Sequence, residues 1–186
     1  RLHTVVSLVE MGQPQEAIEF ATEELQVAQL LTDTVVAQVG DPVLAALLLG
    51  KSAQAAERGV TLTVRGVVQA DHLDVASHEL VTLTGNLIDN ALDALAGVEE
   101  ALIDVEVRWS PDAFELSVGD NGPGIPPEDS ARILRHGWSS KAAPGGGRGI
   151  GLALVAQIAA RHAGKVTVAA SELGGALLTV TLRRQR

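Results

Sequence analysis

The stretch DNGPGI at residues 120–125 decides how the rest of this chain is read. A second glycine cluster, PGGGRGIGL, follows at residues 144–152, and the segment between them carries Pro126, Pro127 and Gly137. Glycine removes the side chain, so backbone can come close to a ligand. Two such turns on either side of a long irregular loop suggest two parts of one ligand. Asp120 ends a strand-like stretch. A carboxylate there can accept a hydrogen bond from an amino group such as the exocyclic amine of adenine. Gly122 and Gly124 would let backbone pass close to a flat ring. The same letters also fit a plain Asn-Gly/Pro-Gly turn.

In the second cluster Gly147, Gly149 and Gly151 lead straight into an apolar helix. Free N–H groups and the positive helix end at such a start suit phosphate. No Gly-Lys-Ser/Thr follows, so this is not a Walker A loop. A GxGxxG count from each glycine leaves Ile150, Leu152 or Leu154 in the last place, which disfavours a dinucleotide fold. Arg148, and Lys141 within GWSSK, are cations at phosphate-contact positions; each also fits a solvated surface charge.

Upstream, GNLIDNALDAL occupies residues 85–95. Leu80, Leu83, Leu87, Ala91 and Leu95 recur at helical spacing and are expected to face a sheet. Asn86, Asn90 and Asp93 are spaced four and three apart and share another face. Asparagine is a mediocre helix former, so two of them one turn apart need a reason. A solvated polar face is one. A Mg²⁺–phosphate site is the other, because Mg²⁺ takes oxygen ligands and is held by one or two protein groups plus phosphates. An amide oxygen ligates without adding negative charge beside a triphosphate. Asn90 is the candidate ligand, with Asp89 and Asp93 as holders of outer water.

The chain has 186 residues, 46% hydrophobic and 20% charged, which suits a soluble core. Aromatics are 2% and Tyr is absent, so that core is built of Leu, Val, Ile and Ala. Without Cys there are no disulfides, thiolate metal sites or Cys nucleophiles. The net charge of −9 argues against a broad nucleic-acid or anionic-membrane surface. The longest apolar run, residues 43–49, is far short of the roughly 20 residues of a membrane span. No signal peptide is visible. Because Arg1 is not Met and residues 2–9 already read as helix, the chain is expected to be a piece of a longer protein.

Helical stripes over residues 2–9 and from Pro14 to about 37 predict an αα-hairpin. Its apolar stripe is expected to meet a second copy of itself, or else to pack on the rest of the chain. Asp41 is a good N-cap for a helix over 43–58. Further helices are expected at 77–96 and 148–163. Strands are expected at 60–64, 102–109, 114–118, 165–170 and 176–183. The result is an α+β fold, with helices on one face of a mixed sheet. The hairpin, residues 1–39, is expected to form one unit and residues 40–186 the other.

Together these motifs resemble the Bergerat ATP-binding fold of the gyrase, chaperone, histidine-kinase and mismatch-repair superfamily. They are most similar to sensor histidine kinases of the citrate/dicarboxylate-sensing type. GNLIDNALDA resembles the N box, DNGPGI the G1 box, GRGIGLALV the G2 box, and GWSSK with RGIGL that subgroup's lid. The resemblance covers about residues 40–183 and implies a two-layer α/β sandwich that binds ATP and Mg²⁺. Asn90 would ligate Mg²⁺, Asn86 would support metal or phosphates, and Asp120 would read adenine. Gly122, Gly124, Gly147, Gly149 and Gly151 would shape the pocket, with Ile125, Asp93, Lys141, Arg148, Ile150 and Leu152 as further contacts. Asn86, Asn90 and Lys141 would be the catalytic set.

The opening Arg-Leu-His resembles the end of this subgroup's phosphoacceptor segment, His-Glu-Phe-x-Asn-Arg-Leu-His. The acceptor would then precede Arg1, and His3 would be the trailing histidine. His72, His78, His136 and His162 sit in no acceptor-like context. ATP hydrolases of the superfamily carry a Glu one turn before the metal Asn. Here that place is Asn86, and a neutral amide cannot take water's proton. The resemblance therefore implies phosphotransfer to a histidine, a response-regulator receiver domain as partner, and a homodimer through the N-terminal helices. It implies the cytoplasmic portion of a membrane-bound sensor, the membrane being reached only through segments absent here. A serine kinase of the anti-sigma-factor type and a non-catalytic nucleotide-binding scaffold are the rival readings.

Overall fold

A computed structural model describes residues 2–69, 73–130, 132–133 and 151–184. Helix α1 (Leu2–Glu10) and helix α2 (Pro14–Val39) form the expected hairpin, and helix α3 (Pro42–Glu57) follows. Strand β1 (Thr61–Val68), helix α4 (Ser77–Ala94), strand β2 (Leu102–Trp109) and strand β3 (Ala113–Asp120) come next. Helix α5 (Gly151–Arg161), strand β4 (Lys165–Ala170) and strand β5 (Ala176–Arg183) complete the described chain. The sheet order is β1-β2-β3-β5-β4. β1 and β2 run parallel, whereas β2–β3, β3–β5 and β4–β5 are antiparallel. The fold is α+β with a mixed sheet, as the sequence implied.

The alternation of β2 and β5 sends Ile103, Val105 and Val107, and Leu178, Val180 and Leu182, into the core. Leu44 and Leu48 of α3, Leu80, Leu83, Leu87 and Ala91 of α4, and Val155 and Ile158 of α5 close over them. Each such Leu contributes roughly 1.5–3 kcal/mol by leaving water. Asp41 caps α3, its Oδ1 accepting from Leu44 N–H at 2.7 Å, while its Oδ2 accepts from Ser77 Oγ at 2.8 Å. One carboxylate thus fixes the starts of both α3 and α4.

β1 is longer than its expected end at residue 64. Gly66 interrupts the sequence pattern, but it lies inside the strand because α2 rests on it. A methyl there would overlap the Gln38 carbonyl. The last turn of α2 is held at the same place. Trp109 Nε1 donates to the Val39 carbonyl at 2.6 Å, meeting an acceptor that the helix end leaves unpaired. The Trp109 ring packs on Phe114 with centroids 4.4 Å apart.

Trp109→Phe keeps an aromatic ring and leaves the buried Val39 carbonyl without its donor. Stability is expected to fall by about 1–3 kcal/mol, read as a lower urea midpoint at unchanged slope.

Candidate functional site

β3 delivers Asp120 to the end of the sheet, where it is only 1% exposed. A buried carboxylate is costly unless donors meet it. Oδ1 accepts from Gly122 N–H at 2.9 Å and from Ala176 N–H at 3.1 Å. The Asp120 main-chain carbonyl accepts from Gly175 N–H at 3.0 Å. Oδ2 takes no hydrogen bond from any described residue. One oxygen therefore fixes the carboxylate, and the other stays an open acceptor, the arrangement that reading an amino group requires.

The turn after Asp120 is pinned to its surroundings. Asn121 Oδ1 accepts from Leu102 N–H at 2.8 Å, and its Nδ2 donates to the Glu100 carbonyl at 2.9 Å. Gly122 lies over the end of α4, where an added Cβ would stand 3.4 Å from the Ala94 carbonyl. Gly124 has φ +74°, which favours glycine. Ile125 packs on the edge of the core.

The asparagine face of α4 lies beside the start of α5. Asn86 Nδ2 donates to the Thr82 carbonyl at 2.7 Å, turning Oδ1 towards Gly151, the first residue of α5. A methyl at Gly151 would collide with that oxygen. The Asn86 amide would have to move to admit one. Asn90, one turn on, is half-buried and makes no hydrogen bond with a described residue. Asp93 is exposed a further turn along, and Leu152 packs against the core. Asp89 is differently engaged from the outer-water role expected of it: Lys51 Nζ of α3 lies 2.5 Å from its Oδ1. Lys141, Gly147, Arg148, Gly149 and Ile150 lie outside the described residues, as do His72, His136 and the expected lid segment.

The structure thus brings Asp120, Gly122 and Gly124 together at one end of α4, and Asn86 and Gly151 together on its side. A Mg²⁺ ion fits this donor set: Asn90 presents a neutral amide oxygen, the kind of ligand such an ion takes alongside phosphate oxygens and water. Sequence reasoning missed Gly175, Ala176 and Asn121. Gly174 and Gly175 lie between the strands expected at 165–170 and 176–183, where a turn is required. Gly175 carries a second constraint, because a Cβ there would run into the Asp120 carboxylate and lie 2.5 Å from Gly122 N.

Residues 76–186 match the family described as histidine kinase-, DNA gyrase B- and HSP90-like ATPase, and the chain belongs to that family. Within it, the chain is 36% identical to the sensor protein CitS of Halalkalibacterium halodurans over 186 residues, covering 98% of this chain and 34% of that protein. It is 30% identical to a probable C4-dicarboxylate sensor kinase of the same organism over 190 residues, covering 100% of this chain and 35% of that protein. The chain spans about a third of the length of these relatives. Among solved structures, a mycobacterial sensor histidine kinase, MprB, superposes with a TM-score of 0.60 at 24% identity, covering 77% of this chain and 95% of that one. The expected Bergerat fold and the likeness to citrate and dicarboxylate sensor kinases are both borne out.

Gly175→Ala pushes a methyl into a filled space around Asp120. It is expected to destabilise the protein by about 1–3 kcal/mol, measured as a drop in the denaturant midpoint.

Proposed function

We propose that this chain is the ATP-binding and phosphotransfer core of a two-component sensor histidine kinase, and that its nucleotide site is formed by the end of β3, the polar face of α4 and the start of α5. The observation that carries the reading is the Asp120 carboxylate, with Oδ1 locked by Gly122 and Ala176 and Oδ2 left open. Oδ2 accepts the adenine amino group, and Gly122 and Gly124 let the turn lie against the ring. Asn90 offers its amide oxygen to Mg²⁺, and Asn86 steadies the metal or phosphates. The α5 start, with Gly151, suits the phosphates, because N–H groups and the helix dipole there favour negative charge. By the resemblance, Gly147, Gly149, Lys141, Arg148 and Ile150 are assigned as further nucleotide contacts. A bound Mg²⁺ would neutralise charge on the phosphates.

Phosphotransfer of this kind asks the protein mainly for positioning and electrostatic stabilisation. Asn86 stands where hydrolases of the superfamily place a base, and its amide is tied to Thr82. The site therefore holds ATP without activating water, and the γ-phosphate passes to a histidine nitrogen and on to a receiver-domain aspartate of a response regulator. Residues 1–39 form the dimerisation hairpin and residues 40–186 the ATP-binding domain. Val6, Val9 and Ile18 of the hairpin are exposed apolar residues, which suits pairing with a second copy. The relatives' names suggest that the whole protein answers to a small carboxylate, from a membrane-anchored sensor whose kinase core faces the cytoplasm. The match to sensor kinases over the entire chain, hairpin included, favours this reading over a serine kinase or an inert scaffold.

ATP is expected to outbind GTP by roughly tenfold to a hundredfold, the worth of a hydrogen bond to a charged acceptor. Asp120→Ala removes most of that margin. Asn90→Ala weakens binding of Mg-ATP while leaving the apo thermal midpoint within about 2 °C, since an unbonded half-buried side chain adds little to stability. Calorimetric titration measures all three, and equal affinity for GTP and ATP in the unsubstituted chain refutes the adenine assignment.

The full-length protein, given γ-labelled ATP and Mg²⁺, is expected to acquire phosphate labile to acid and stable to base, the behaviour of phosphohistidine. Asn90→Ala abolishes the label. A label stable to acid would point to a serine acceptor instead.

A further inference from the structure

Glu79 is the one acidic residue in the first turn of α4, and it is buried to 7% exposure. Nothing in the nucleotide site uses it. Its Oε2 lies 2.7 Å from His162 Nε2, and its Oε1 lies 3.0 Å from Arg161 Nη2. Arg161 is the last residue of α5, and His162 follows it. A carboxylate at a helix start and the Arg161 guanidinium at a helix end each sit where the backbone dipole favours them. The residue that follows α5 is also tied to the sheet, since the His162 carbonyl accepts from Arg183 N–H of β5 at 2.9 Å.

The other end of the same helix pair is the Asn86–Gly151 contact. α4 and α5 therefore run antiparallel, touching at two places. One is the cluster of Glu79, Arg161 and His162. The other is where Asn86 meets the first residue of α5. Asn86 lies seven residues along α4 from Glu79, about two turns or ~10 Å. The described part of α5 has Val155, Ile158 and Ala159 as its inner face. Apolar burial of this kind is non-directional. Directional contacts at the far end supply the preference for one position, because displacement would part the buried Glu79 carboxylate from Arg161 and His162.

We propose that Glu79 and His162 are positioning residues for phosphate binding: they brace α5 against α4 and so set where the start of α5 stands relative to Asn86 and Asn90. The inference rests on the nucleotide reading above and deepens it. The adenine end is independent of the brace, since Asp120 is held by Gly122, Gly175 and Ala176, none of them on α4 or α5. Loss of the brace thus harms recognition of the phosphates and spares recognition of the base.

The test compares ATP with adenosine, which lacks phosphates, on the unsubstituted chain and on Glu79→Gln, His162→Gln and the double variant. Glu79→Gln keeps the reach and removes the charge. Each single change is expected to lower Mg-ATP affinity by about tenfold, a loss typical of groups that orient a ligand-binding residue, with adenosine affinity within twofold. The double variant is expected to lose no more than the worse single one, since one brace is removed only once. Should Glu79→Gln fail to fold, His162→Gln decides alone, its side chain being 23% exposed. Unchanged ATP affinity in folded variants, or equal losses for ATP and adenosine, overturns the brace. An unsubstituted chain that binds no ATP refutes the nucleotide reading and the brace with it.

Discussion

Helix α4 buries an apolar face against the sheet and carries Asn86 and Asn90 on another face, and most of the architecture follows from that division. Leu80, Leu83, Leu87, Ile88 and Ala91 lie against the strands with almost no exposure. Their burial fixes the rotation of the helix about its axis. Once that rotation is fixed, the faces of Asn86 and Asn90 have no freedom to turn away. The ends of α4 are held separately: Ser77 by Asp41, Glu79 by Arg161 and His162, and the region after Ala94 by the Gly122 turn. A helix held along its side and at both ends is a rigid platform, which a site built mainly on positioning needs.

The second organising feature is the charge of Asp120. Placing a carboxylate at 1% exposure requires compensation, and the compensation comes from two strand ends. β3 and β5 pair antiparallel in register from Ala113↔Arg183 to Gly119↔Leu177. That register brings Gly175 and Ala176 to the Asp120 side of the sheet, where their N–H groups are otherwise unused. The β4–β5 hairpin is thereby part of the site without contributing any side chain to it. Asn121 plays the matching part on the opposite flank, binding the turn to the start of β2.

The family was legible through the resemblance of GNLIDNALDA, DNGPGI and GRGIGLALV to known motifs, and the sheet composition and helix order through local periodicity. The apolar residues 80, 83, 87, 91 and 95 repeat at helical spacing, and all five are buried. The strands of the second half were placed within a residue or two. β1 was read short because Gly66 resembles a strand breaker when only its neighbours in sequence are seen. Its true role, making room for the Gln38 carbonyl of α2, is a contact between distant segments.

The sequence by itself determined which residue types could meet a nucleotide: a strand-end Asp, an asparagine pair at helical spacing and glycines at two turns. These signals depend on spacing along the chain, and spacing survives without coordinates. The tertiary structure alone decided how those groups are held. It chose Oδ1 of Asp120 to be satisfied by Gly122 and Ala176, set Gly151 against Asn86, gave Asp89 to Lys51, and joined Glu79 to Arg161 and His162. Apart from the local Gly122 bond, each of these is a pairing across dozens of residues, made where packed elements meet. No local pattern encodes such a pairing, because hydrogen bonds between side chains and distant backbone depend on where the packed elements finally lie.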